Sequence, residues 1–221
     1  MGGSAGGPFR GTLPRMTTPN PWSIVPAADY ERHMGPEGVD QLAPLSAFFQ
    51  EAYLGAQPDR LLVVGSATGN GLEHVDPAVT ARIVALDVNL QYLGICRQRF
   101  FHLGPRLELY CTSASAWRSP PGSFDLIHAG LVFEYLHPEP LVAQVATWLS
   151  DHGTASVVLQ LPGGQAPVPA LKALEIIERA QRLVPPEELT ALFEAHGLRP
   201  RRARELPLKY GKRFWCATFG R

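Results

Sequence analysis

Two consecutive segments constrain this chain more than any other feature. Residues 61–75, LLVVGSATGNGLEHV, form an apolar run that closes on small residues spaced two apart. Residues 81–89, ARIVALDVN, form a second apolar run that ends in a single acid, Asp87. Such runs read as buried strands, the first one handing over to a tight turn. Small residues at the turn let backbone N–H groups approach a ligand. A carboxylate at the end of the next strand is placed to accept hydrogen bonds from ribose hydroxyls. Together they predict an adenosine-containing cofactor at the carboxyl ends of parallel strands.

The spacing helps to choose the cofactor. A dinucleotide turn wants Gly-x-Gly-x-x-Gly. Counting from Gly69 and Gly71, the third position is His74; counting from Gly65, the second is Ala67. What stands here is Gly65-x-Ala67-x-Gly69-x-Gly71, with Asp87 following in register. This resembles motif I and the second-strand acid of the class I S-adenosylmethionine-dependent methyltransferases, a Rossmann-like family. The segment SFDLIHAGLVFEYLHP (residues 123–138) resembles the strand and loop after that family's second motif. Within the family, GSATGNGLEHV, Asp29-Tyr30-Glu31-Arg32-His33-Met34 and Phe133-Glu134-Tyr135 resemble a bacterial subgroup. Its members carry a GCATGNGLEHI-type motif I, a DYExHM element and an FEY turn.

The resemblance implies S-adenosylmethionine as cofactor, S-adenosylhomocysteine as product and methyl transfer as the reaction. It implies that Gly65, Ser66, Ala67, Gly69 and Gly71 form the turn against the ligand, whose amino-acid carboxylate meets the following helix N-terminus. Asp87 would hold the ribose, and Val88 or Asn89 the adenine edge. Ser113 and Ala114 would meet the adenine amino group. Ala129, Gly130 and Leu131 would flank the methionine part. Three positions depart from the family pattern. Val63 stands where an acid is common, Ala67 replaces a glycine, and Ser113 replaces an acid that would bind more strongly.

Beyond these motifs, strand-like and helix-like segments alternate. Strands are expected at 61–65, 82–87, 106–112, 124–129, 154–161, 198–206 and over RFWCATFG at 213–220. Helices are expected at 39–53, 70–75, 89–101, 138–149, 170–183 and 186–196. Asp151-His152-Gly153 reads as a turn. Alternation of this kind predicts an α/β, doubly wound, mostly parallel sheet with helices on both faces. The last two strands have no helix between them, so they can pair as an antiparallel hairpin through residues 209–212. Seven strands ending in that hairpin is what the resemblance implies. The expected division is a disordered tail over 1–20 and one domain over 21–221. Within it, 21–58 form a helical cap, 59–161 the cofactor-binding core, and 162–221 lid, helices and hairpin.

Length and charge narrow the partners. At 221 residues one ordinary domain is expected. Lys+Arg and Asp+Glu are both 20, which lacks the basic footprint of a nucleic-acid binder. The local cluster RPRRAR (199–204) reads as solvated surface. No apolar stretch is long enough to span a bilayer, and no secretory signal is visible. Cys96, Cys111 and Cys216 are odd in number and far apart, which fits reduced thiols and a cytoplasmic location, with no metal site expected. No feature speaks to oligomeric state.

Methyl transfer is an in-line displacement at a sulfonium, so positioning dominates and no catalytic triad is required. Tyr30, His33 and Tyr135 are the candidates near the methyl group, with the N-terminal segment lying over the cofactor. Glu134 and His137 read as solvent-facing or capping, and His128 as a core histidine. Residues 162–175, PGGQAPVPALKALE, are the expected acceptor lid, of a length that suits a small molecule. Two competing readings remain open. One is a non-catalytic module of the same fold that binds S-adenosylmethionine or S-adenosylhomocysteine. The other is a nicotinamide-dependent oxidoreductase.

Overall fold

A computed structural model describes residues 20–164 and 172–221. The expected tail, up to residue 19, and residues 165–171 of the expected lid lie outside the described residues.

Seven strands form one sheet in the order β3-β2-β1-β4-β5-β7-β6. They are β1 (Arg60–Val64), β2 (Arg82–Asp87), β3 (Leu107–Cys111), β4 (Phe124–Gly130), β5 (Leu149–Gln160), β6 (Arg199–Pro207) and β7 (Arg213–Gly220). The first five are parallel; β7 runs antiparallel to both β5 and β6. The helices are α1 (Ala27–Met34), α2 (Leu42–Ala56), α3 (Leu90–Arg99), α4 (Pro138–Trp148), α5 (Lys172–Ala180) and α6 (Pro186–Ala195). The expected fold, an α/β sheet of seven mostly parallel strands with a closing antiparallel hairpin, is the one observed.

The continuous apolar runs are explained by burial on both faces. Along β1, Leu61 and Val63 pack with Phe49, Tyr53, Cys96 and Phe100 on one side of the sheet. Leu62 and Val64 pack on the other side in a cluster that holds Trp148, Phe193 and Phe219. Val63, where the family commonly has an acid, is thus a core residue.

Three expectations are corrected. The helix at 70–75 is only a 3₁₀ turn, Leu72–His74. The chain approaches it through Gly69 and Gly71 at positive φ, which breaks α-helical geometry. The strand expected from 154 begins at Leu149, because Phe124 pairs with Leu149 across an irregularity between Phe124 and Leu126. Asp151-His152-Gly153 therefore lies inside β5. The RPRRAR cluster is only partly free surface: Arg202 and Arg204 both pair with Glu51 of α2, and Arg204 lies over the Phe48 ring.

Candidate functional site

The carboxyl ends of β1 to β5 open into one cavity of about 230 Å³. That position follows from the fold, since strand order reverses beside β1 and leaves a crevice there. Gly65 and Ala67 line it after β1, Asp87 and Val88 after β2, Ser113 and Ala114 after β3, and Gly130 after β4. Tyr30, His33 and Tyr135 line it too.

Asp87 is the anchor. Only 8% exposed, it accepts hydrogen bonds from Ala67 N on one oxygen and from Asn89 N on the other, both at 2.8 Å. The carboxylate therefore fixes the turn after β1 and the start of α3 at once. Each oxygen keeps a lone pair for another donor. Burial pushes its pKa up to about 6, against the opposing pull of the backbone N–H groups. Asn89 then caps α3 by accepting from Gln91 N and Tyr92 N.

Ser66, Gly69, Gly71 and Ala129 do not line the cavity. Ser66 donates its N–H to Leu86 O, and its hydroxyl is buried without a partner. Ala129 sits in the sheet beside Val64. A Cβ on Gly69 would overlap the Phe100 ring and approach Cys96 Sγ to 2.9 Å. One on Gly71 would come 2.7 Å from Phe49 Cγ. These two glycines let helices pack against the turn. Ala67 has φ +46°, so the backbone adopts the left-handed form that the family's usual glycine favours.

The N-terminal segment roofs the cavity and is clasped there by polar contacts. Asn89 Nδ2 donates to Trp22 O and Val25 O, both at 2.9 Å, and Ala27 N donates to Gln91 Oε1 at 2.9 Å. Glu31 receives Thr68 Oγ1 at 2.8 Å and Arg99 Nη2 at 3.0 Å. The DYERHM element thus splits by face. Tyr30, His33 and Met34 line the cavity, while Glu31 latches α1 to α3.

Trp22 stands edge-on to both Tyr30 (5.9 Å between centroids) and Tyr135 (5.4 Å). Burial raises the phenols of Tyr30 and Tyr135 well above their ordinary range, so both stay protonated near neutral pH. Burial and the nearby Lys212 charge hold His33 below its usual value, and its Nδ1 is buried without a partner. Leu131, at φ +55°, follows Gly130 into the wall in a strained conformation often kept at functional sites. His128 is a buried core histidine bonded to Ser156 Oγ at 3.0 Å.

Glu134 is a correction. The sequence reads it as solvent-facing or capping, yet it is only 2% exposed. Its Oε1 accepts from Gln160 N at 2.7 Å because the last N–H of β5 turns toward the loop after β4. Its Oε2 has no partner, and burial pushes its pKa up to about 7. Residues missed altogether include Gln41, Gln160 and Lys212, all in the cavity wall. Gln41 Nε2 donates to Gln160 Oε1 at 2.8 Å, tying roof to sheet. A glutamine closing the apolar run of β5 was a usable sequence signal; Lys212 left none.

This architecture, a β3-β2-β1-β4-β5-β7-β6 sheet with a cavity over β1 and β2, defines the class I S-adenosylmethionine-dependent methyltransferase fold. Residues 61–153 match the methyltransferase domain family. The fold is similar to that of 1,6-didemethyltoxoflavin-N1-methyltransferase from Burkholderia thailandensis, solved with 1,6-didemethyltoxoflavin and S-adenosylhomocysteine bound. The two are 19% identical over 92% of this chain and 90% of that one, with a TM-score of 0.62. It is also similar to geranyl diphosphate C-methyltransferase from Streptomyces coelicolor A3(2) (11% identity, 81% and 79% covered, TM-score 0.64). The [4+2]-cyclase SpnF shares the fold as well (16% identity, 80% of each chain, TM-score 0.64). No curated protein is significantly similar to this chain in sequence. Among the described residues, no helix is long and apolar enough to cross a membrane.

Proposed function

We propose that this protein is an enzyme that binds S-adenosylmethionine in the cavity and transfers its methyl group to a small molecule. The observation that carries this reading is Asp87, a buried carboxylate at the cavity wall, oriented by two backbone N–H groups and keeping lone pairs for ribose hydroxyls. Val88, Ser113 and Ala114 would hold the adenine. Gly65, Ala67, Gly130 and Leu131 would hold the methionine part. Ser66, Gly69, Gly71 and Ala129 act one step back, by shaping the turn and strand that carry these contacts.

When bound, the cofactor supplies an electrophilic methyl on a sulfonium. The chain's own part is to hold an acceptor lone pair in line with the methyl–sulfur bond and to keep water out. Trp22, Tyr30 and Tyr135 would form the walls for this, with Leu131 beside them in the cavity lining. Tyr30 and Tyr135 stay protonated and orient the acceptor as hydrogen-bond donors. His33, held below its usual value, is neutral near pH 7 and able to receive a proton. On this reading residues 21–58 are a cap over the core 59–161, and 162–221 complete the acceptor wall. A cytoplasmic location agrees with three unpaired cysteines.

Calorimetric titration with S-adenosylmethionine and S-adenosylhomocysteine tests the reading. Micromolar binding is expected. No binding of either at millimolar ligand, in folded protein, overturns it.

A further inference from the structure

The cavity has two unlike ends. Over β2 and β3 it carries an acid, Asp87, and small residues. Over β4, β5 and the turn before β7 it carries Tyr135, Gln160 and Lys212, with His33 arriving from α1. The sheet order sets these at opposite ends of one trough.

Lys212 is the unusual member. Its neighbour on the same turn, Lys209, points outward and pairs with Asp40. Lys212 instead lines the cavity, half-buried, and burial lowers its pKa. Among the described residues no carboxylate is in ion-pair contact with it. Glu178 lines the same end and its charge opposes that lowering, but it is exposed and makes no ion pair with Lys212. Across from Lys212, the His33 ring feels its charge. A partly desolvated ammonium without a paired carboxylate is costly until an anion joins it. In the same cavity Trp22 stands nearly perpendicular to both Tyr30 and Tyr135, and the three rings make a corner suited to a flat ring.

We infer that the acceptor is a flat, conjugated molecule bearing a carboxylate or phosphate that pairs with Lys212 beside His33. Its ring lies against Trp22, Tyr30 and Tyr135. This inference rests on the cofactor reading above, since the cofactor must occupy the Asp87 end and leave the Lys212 end free. The anion has a second possible source, the amino-acid carboxylate of the cofactor itself, and the experiment separates the two.

The probes are matched acids and amides: 4-hydroxybenzoate with 4-hydroxybenzamide, and indole-3-acetate with indole-3-acetamide, together with phenyl phosphate. Each is titrated into protein saturated with S-adenosylhomocysteine. At least one anionic probe is expected to bind, and an acid to bind about tenfold tighter than its amide. Lys212→Gln abolishes that preference, Lys212→Arg keeps it, and both variants bind S-adenosylhomocysteine within about twofold of the parent. Amides binding as well as acids, or no probe binding to protein that holds S-adenosylhomocysteine, overturns the inference. So does a tenfold loss of S-adenosylhomocysteine affinity in Lys212→Gln, which assigns the ammonium to the cofactor's carboxylate. Failure of S-adenosylhomocysteine to bind the parent protein is a different result, and removes the cofactor reading on which the inference stands.

Discussion

The two ends of the cavity are built by different means. The end over β1 to β3 is made largely of backbone: a left-handed turn, one carboxylate holding two N–H groups, and small residues that admit helices close behind. The end over β4 to β7 is made of side chains drawn from α1, the loop after β4, the end of β5 and the turn before β7. A backbone-made site can accept only one ligand shape and tolerates little change. A side-chain-made site can be retuned by single substitutions. On the proposed assignment of cofactor to the first end and acceptor to the second, their selection is physically separable, and substitutions at either end can break or sharpen that division.

The largest effect is expected at Gly69, which supports the first end without touching the cavity. Gly69→Ala adds left-handed strain (φ +98°) and drives a methyl into Phe100 and Cys96. A loss of about 2–4 kcal/mol in stability follows, measured by denaturant unfolding. A neutral outcome would show that Phe100 can move and that the turn is not braced by α3.

Asp87→Ala comes next. Loss of charge-assisted hydrogen bonds should weaken S-adenosylhomocysteine binding by about 1.5–3 kcal/mol. Unchanged affinity in folded variant would remove Asp87 from the site. The wild type carries its own control through pH. The ionised form is the acceptor, so affinity stays level above about 6 and falls about tenfold per unit below it. For folding the sign is opposite. The raised pKa adds stability that is complete below the ordinary value of 3.8 and is lost as pH rises through about 6.

Glu134 probes the second end. Ionised, it is a buried charge with one backbone partner and a bare Oε2. Its raised pKa likewise contributes stability at low pH that disappears as pH rises through about 7. Glu134→Gln keeps the acceptor for Gln160 N and removes the charge. The variant should gain about 1–2 kcal/mol at pH 8 and little at pH 5, read from thermal unfolding at the two pH values. An equal effect at both would mean that Glu134 is neutral throughout.

What was legible in the sequence follows the same division. The first end is contiguous: strand, turn and acid lie within 30 residues, and each strand's periodicity survives in one short stretch. Even there, spacing could not tell Gly65, which lines the cavity, from Gly69 and Gly71, which face Phe100 and Phe49. That distinction depends on how α2 and α3 pack. The second end joins Gln41 to Gln160 and His33 to Lys212, pairs far apart in sequence with no local pattern to announce them. Glu134 reads as solvent-facing or capping because a lone carboxylate is rarely buried, although Phe133 and Tyr135 flank it. Its burial is decided by an N–H at the end of β5. The start of β5 was missed for a related reason: Asp151-His152-Gly153 has turn composition, and only its pairing with β4 makes it strand.

The smallest expected effect is the most pointed test of the first end. Ala67→Gly restores the family's usual residue at a position with φ +46°. Releasing left-handed strain gains about 1–2 kcal/mol. Against this, glycine adds about 0.5–1 kcal/mol of unfolded-state entropy. The lost methyl, buried beside Tyr30 and Tyr92, removes about 0.8 kcal/mol more. The three terms nearly cancel, so stability should stay within about 1 kcal/mol of the parent. S-adenosylhomocysteine affinity should stay within about twofold, because the N–H given to Asp87 is unchanged. A fall in stability beyond about 2 kcal/mol would make the methyl a structural element of the roof and not a tolerated departure. A clear gain in affinity would mean instead that the methyl crowds the ligand, and that the backbone-made end of the cavity is not yet at its best fit.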